Sequence, residues 1–195
     1  AYLATRGAAA YLRLRDVYGD RMVFQRDQPV VLAGEATPGA AVTAEMDGAK
    51  ATAKADATGA WLIELPAKKA GGPYTVRVTS GSAAVTLSDI LVGELWLCGG
   101  QSNMEMPVWG GNQYYRLLDG EAVAAAADDP GLRLLGVSRM VAPDGPRLTI
   151  GGARWGRGDD PEAVKPFSAC GYHFGKFLRK RLGVPVGLVG SNWGG

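Results

Sequence analysis

The chain has 195 residues, enough for one large domain or two small ones around a packed core. Its 21 basic and 19 acidic residues nearly cancel, and the longest cationic run, Arg179-Lys180-Arg181, falls at an expected helix end, so nothing marks a nucleic-acid partner. No apolar run is long enough to cross a bilayer, which predicts a soluble chain, and the two cysteines, Cys98 and Cys170, lack metal-ligand spacing and read as buried thiols rather than a disulfide.

From Leu12 to about residue 90 the pattern is β throughout, which predicts a small antiparallel β-sandwich over 12–90. Short apolar or alternating runs recur at Met22-Val23-Phe24, Val30 to Ala33, Ala41 to Ala44, Trp61 to Leu65 and Tyr74 to Val78. Turn chemistry separates them. Thr37-Pro38-Gly39 and Gly71-Gly72-Pro73 offer fixed or positive φ, and Asp47-Gly48 suits a two-residue hairpin.

After Asp89 the pattern changes to alternating strand and helix, the signature of α/β architecture with a parallel sheet. Ile90 to Val92 and Glu94 to Cys98 read as a strand buried on both faces. A helix is expected at about 114–127, then a second apolar strand at Leu132 to Val137. Ser168 reads as the N-cap of a helix running to Leu182, with Cys170, Phe174, Phe177 and Leu178 as its apolar face and Gly183 as its stop. Pro185 to Val189 forms a third strand.

Two polar, glycine-rich segments, 99–104 and 190–195, each follow a strand and are expected on the carboxyl edge of one sheet, where ligands bind. Acyl transfer needs a serine hydroxyl at such an edge with free N–H groups around it. Ser102 fits as the nucleophile, the Asn192 side chain as an oxyanion donor, and Gly194 and Gly195 as room for substrate. Gly100-Gln101-Ser102 carries only the first half of a Gly-x-Ser-x-Gly elbow, since residue 104 is Met. On spacing alone, Ser102 as a helix cap and Asn192 as a turn residue remain open.

The stretch Gly93-Glu94-Leu95-Trp96-Leu97-Cys98-Gly99-Gly100-Gln101-Ser102-Asn103-Met104-Glu105 resembles the nucleophile block of the sialate O-acetylesterase family, serine hydrolases of the SGNH (GDSL-like) superfamily. Asp20 to Arg26, Ala70 to Tyr74, Phe167 to Gly175 and Val184 to Gly195 match further blocks in order, so the resemblance covers nearly all the chain after about residue 14. It implies Ser102 as nucleophile and oxyanion or substrate contacts from Gln101, the Ser102 backbone, Asn192 and Gly194. It also implies that 91–195 is the N-terminal half of an SGNH-type parallel-sheet hydrolase domain. The expected activity is removal of O-acetyl groups from carbohydrates, with sialic acid esters first and acetylated plant polysaccharides second. No cofactor or metal is implied.

The family's catalytic histidine and its acidic partner lie beyond the point that corresponds to Gly195. His173, the one histidine here, falls on the helix from Ser168, and Asp159 and Asp160 read as solvated loop residues. The remaining catalytic groups are therefore expected on a complementary C-terminal polypeptide or on the rest of a longer protein. The chain starts at Ala1 with no charged and apolar leader, so a signal peptide is expected to be already removed or never present. A secreted or periplasmic location is implied by the resemblance alone. A different class of function, a non-catalytic carbohydrate-binding module, would use Trp61, Trp96, Trp109 and Trp193 as stacking faces.

Overall fold

The computed structural model describes residues 10–110, 115–145 and 150–194. The early region consists of β1 (Leu12–Leu14), β2 (Val23–Gln25), β3 (Val30–Ala36), β4 (Ala41–Met46), β5 (Ala49–Lys54), β6 (Ala60–Leu65), β7 (Gly71–Ser80) and β8 (Ala83–Gly100). Period-two burial drives their formation. In β6, Trp61, Ile63 and Leu65 point inward while Leu62 and Glu64 face out. The β4–β5 hairpin turns on Asp47 (φ 49°) and Gly48 (φ 77°), the pair of positive dihedrals that its two-residue loop requires.

A three-stranded sheet, β1-β3-β6, shares one core with β4, β7 and the first part of β8. Leu32, Met46, Val76 and Ile90 are among its fully buried side chains, each contributing about 1.5–3 kcal/mol by removal from water. Gly71-Gly72-Pro73 does not form a turn between strands. It lies within β7, at a break in register where β7 bulges against β8.

The later region contains α1 (Ser102–Glu105), α2 (Gly120–Ala125), β9 (Asp129–Gly136), β10 (Gly156–Gly158), α3 (Pro161–Val164), α4 (Ala169–Leu182) and β11 (Val186–Asn192). β11 runs parallel to both β8 and β9, and β10 adds antiparallel to β9. The larger sheet therefore has the order β10-β9-β11-β8-β7-β4-β5, with β2 parallel to the middle of β8. β8 is 18 residues long and passes through residue 90 without a break, so one strand carries both the early and the late region. A second core, with Leu132, Leu134, Tyr172, Val186 and Leu188, lies on the α4 side.

Several expectations change here. The helix expected at about 114–127 spans only Gly120–Ala125, and its expected start at Tyr114 lies outside the described residues. Asp160 caps α3 by accepting from the Glu162 N–H, and Asp159 pairs with Arg157 (2.6 Å), so neither is simply solvated. Ser168 does cap α4, accepting from the Gly171 N–H at 3.0 Å, and Gly183 (φ 65°) ends it. The helix, however, buries Ala169, Gly171, Tyr172 and Gly175, not Cys170, Phe174 and Phe177. Small residues at 171 and 175 let α4 approach the sheet closely: a side chain on Gly175 would meet Leu188 at 2.7 Å. Cys170 is consequently an exposed thiol, whereas Cys98 is buried and its pKa is pushed up by that burial. The Glu94 to Cys98 stretch of β8 is also not buried on both faces, since Leu95, Trp96 and Leu97 are exposed.

Where the two regions meet, the Arg133 guanidinium grips the Asp89 carboxylate through two bonds of 2.8 and 2.9 Å. Arg133 is almost fully buried, and its hydrogen bond holds the Asp89 carboxyl below the usual carboxylate range. Among the described residues, no helix is long and apolar enough to cross a membrane.

Candidate active site

The in-register pairing of Gly100 with Asn192 brings the two glycine-rich segments side by side at the carboxyl ends of β8 and β11. The Trp193 N–H donates to the Gly100 carbonyl at 3.0 Å, extending the contact past the strands. Ser102 then opens the short helix α1, with its side chain exposed, and the N–H groups of Glu105 and Met106 close the turn onto Gln101 and Ser102 carbonyls. Among the described residues the Ser102 N–H donates to no group, as the first amide of a helix does.

The loop after β11 approaches Ser102 closely. A Cβ on Gly194 would stand 3.2 Å from Ser102 Oγ and 2.4 Å from Glu105 Oε2, so only glycine passes between them. Glu105 holds that approach. Its Oε2 accepts the Gly194 N–H at 2.6 Å, its Oε1 pairs with Arg139, and its side chain is only 12% exposed. The Gly194 amide is thereby committed to Glu105. Its expected part in oxyanion or substrate binding reduces in this arrangement to allowing the close approach.

Asn192 is half-buried, and its amide nitrogen lies 3.4 Å from where a Cβ on Gly190 would be, so the side chain folds back along β11. Among the described residues the Asn192 side chain makes no hydrogen bond, which leaves its N–H₂ free to donate. Gln101 is exposed and its side chain caps nothing on α1. Gly195 lies outside the described residues. An open cleft of about 450 Å³, within the usual range for small-ligand sites, adjoins this edge. Gly100, Ser138, Met140, Ser191, Asn192 and Trp193 contribute to its lining.

His173 is exposed on α4, stacked edge-on with its neighbour Tyr172, and its ring makes no hydrogen bond among the described residues. It is not joined to Ser102. Of the four tryptophans considered as stacking faces, Trp61 is buried in the core and Trp109 is covered by the Arg116 guanidinium at 3.9 Å. Trp96 and Trp193 remain exposed. The structural role of Glu105 was not assigned from sequence, although an acid three residues after the serine is the signal that could have suggested it. Tyr115, whose hydroxyl donates to the Ser102 carbonyl, carried no such signal.

A carbohydrate acetylesterase of Xanthomonas citri has a closely similar solved structure. It aligns with a TM-score of 0.86 and 41% identity over 93% of this chain and 40% of that one. Among curated proteins, mouse sialate O-acetylesterase is 31% identical over 98% of this chain, and the human protein is 29% identical over 98%. The chain is similar to part of each of these sialate O-acetylesterases. It spans only 37% and 39% of the lengths of those two relatives. Of the family models compared, none matches. The likeness to the acetylesterase structure, at 93% of the chain, takes in most of the mixed sheet and its few helices.

Proposed function

We propose that this chain forms part of a serine esterase that removes O-acetyl groups from carbohydrates, with acetylated sialic acid as the first substrate class. The observation that carries this reading is the close approach of Gly194 to Ser102 Oγ at the joined carboxyl ends of two parallel strands. The names of the relatives supply the acyl group and the carbohydrate class. Alongside it stands the domain reading: a β-sandwich over 12–90 and the first part of an SGNH-type hydrolase domain over 91–195. The second apolar cluster, confined to residues from Cys98 onward, supports that division, although the first cluster also takes in Leu135 and Trp155 and β8 crosses the boundary.

In this mechanism Ser102 Oγ attacks the acetyl carbonyl carbon while its proton passes to a histidine outside this chain, held by an acidic partner. The negative charge that develops on the carbonyl oxygen is met by the free Ser102 N–H and the Asn192 amide. Collapse of the tetrahedral intermediate breaks the ester bond. The sugar hydroxyl leaves with the histidine's proton, and acetyl-Ser102 remains. Water, deprotonated by the same histidine, then releases acetate and restores the serine. The free-standing location we assign, secreted or periplasmic, rests on the family resemblance alone.

The test is Ser102→Ala in the complete protein, assayed on p-nitrophenyl acetate, acetylated sialic acid and acetylated xylan. Turnover should fall by several powers of ten on every substrate, with the fold unchanged by circular dichroism. Wild-type protein should give an acetyl adduct on Ser102 in quenched samples. A variant that retains comparable, saturable turnover would refute the assignment, and preference for xylan over sialic acid would move the substrate class to plant polysaccharides.

A further inference from the structure

Free cysteine is among the most buried residue types, yet Cys170 is exposed on α4 while Cys98 is buried beneath the same helix. The two lie opposite each other. Trp96 and Cys98 are two residues apart on β8 and share its α4 face, and Cys170 and Phe174 are four apart and share one stripe of α4. The helix runs against the direction of β8, because the short connection after Gly183 leads into β11, which is parallel to β8. Trp96 meets Phe174 with 5.3 Å between ring centroids. Two strand residues advance about 6.6 Å and four helical residues about 6 Å, so the step from Trp96 to Cys98 matches the step from Phe174 back to Cys170.

The approach is close at that point. A Cβ on Gly171 would stand 3.2 Å from Cys98 Sγ, and Cys170 is the residue before it. A disulfide asks for Cβ atoms about 3.5–4.5 Å apart, and Gly171, with no side chain to hold the helix off, lets the first turn of α4 sink toward that separation. The Cys98 pKa is raised by burial and, beyond that, by the nearness of the Cys170 thiol. The pair lies directly under the candidate site. Cys98 is four residues before Ser102, and Ser168, which caps α4, donates its hydroxyl to the Met104 sulfur at 3.2 Å.

We propose that Cys98 and Cys170 are a redox-formed staple: a small disulfide oxidant of the glutathione class joins them into one intramolecular disulfide that ties the carboxyl end of β8 to the first turn of α4. The exposed Cys170 reacts first. Its thiolate attacks one sulfur of the oxidant, which leaves a mixed disulfide on Cys170 and releases one small thiol. Cys98, shielded from the oxidant by its burial, gives its proton to solvent and attacks the Cys170 sulfur, which releases the second small thiol. The S–S bond of the oxidant is thereby reduced to two thiols, and the two cysteines give up two electrons and two protons between them. The link closes a loop of about 70 residues and removes freedom from the unfolded chain, so it stabilises the end of β8 that leads to Ser102.

The test uses the complete protein, reduced, freed of reductant and then held with oxidised glutathione under native conditions. It reads no activity, so it can fail without touching the acyl-enzyme assignment. Non-reducing peptide mapping should find Cys98 joined to Cys170, exceeding the glutathione adduct on Cys170 by about tenfold or more. The link should form at a rate unchanged by dilution of the protein, and the linked form should melt a few degrees higher than the reduced one. In Cys170→Ser, Cys98 should stay a free thiol under the same treatment. Both cysteines remaining free, a lasting glutathione adduct on Cys170 beside a reduced Cys98, a bond from either cysteine to another partner, or a linked form that melts lower would each overturn the proposal. So would Cys98 in Cys170→Ser taking up glutathione as fast as the wild-type link forms, because Cys170 would then not be the point of entry.

Discussion

Gly194→Ala tests the geometry of the proposed site with one methyl group. The added carbon would sit 2.4 Å from Glu105 Oε2 and 3.2 Å from Ser102 Oγ. Ordinary contact requires about 3.5 Å, so either the Glu105 carboxylate or the chain after β11 must move by roughly 1 Å. Either movement breaks the 2.6 Å bond from the Gly194 N–H to Glu105. A hydrogen bond to a charged acceptor contributes about 1.5–3 kcal/mol. If that loss is expressed in the transition state through a misplaced loop, kcat/KM should fall about tenfold to a hundredfold. The assay is acetyl-ester hydrolysis by the complete protein. Glu105→Ala should lower kcat/KM by a similar factor, because it releases the same contact. In the double variant the severe clash is gone, so the two losses should be markedly less than additive. Unchanged kcat/KM in Gly194→Ala, or strict additivity in the double variant, would refute the view that Glu105 holds this loop against the serine.

Asp89→Asn removes a charge while retaining a residue type that tolerates the left-handed backbone found there (φ 56°). The Arg133 side chain is 3% exposed, so losing its partner should destabilise the fold by about 2–4 kcal/mol; the lower part of that range reflects water's access to Asp89 itself. Because the folded-state pKa of Asp89 is depressed, its contribution is complete above about pH 4 and is lost as pH falls through the folded value. Urea midpoints of wild type and variant should therefore differ at pH 7 and draw together as pH falls below about 4 and through the depressed folded value; equal midpoints at pH 7 would show that Arg133 finds other partners. Asn192→Ala should reduce kcat roughly a hundredfold to a thousandfold with KM little changed, and a rise in KM alone would make Asn192 a substrate-positioning residue. His173→Ala should retain activity within about tenfold, since a lost general base costs at least a hundredfold; a larger loss would return His173 to consideration as the base.

The sequence by itself determined the local elements, because local rules govern them. Alternation placed Trp61, Ile63 and Leu65 inward, Asp47-Gly48 set a hairpin, and Ser168 and Gly183 bounded α4. The matched blocks placed Ser102 and Asn192 after parallel strands, and the pairing of Gly100 with Asn192 brings them to one edge. Interactions across long sequence separations were not legible. Glu105 and Gly194 are 89 residues apart, and neither their contact nor the grip of Arg133 on Asp89 leaves a periodic trace in the chain.

Burial was the other property that only tertiary structure decided. Cys170, Phe174 and Phe177 have the spacing of a core-facing stripe, yet Tyr172 and the close approach at Gly171 and Gly175 turn a different side of α4 to the sheet. Likewise Leu95, Trp96 and Leu97 have the composition of a buried strand but lie on an open edge. Periodicity records that a face is apolar. Which neighbour covers it depends on strand order and on close packing between elements, and those are fixed only when the whole chain is folded together.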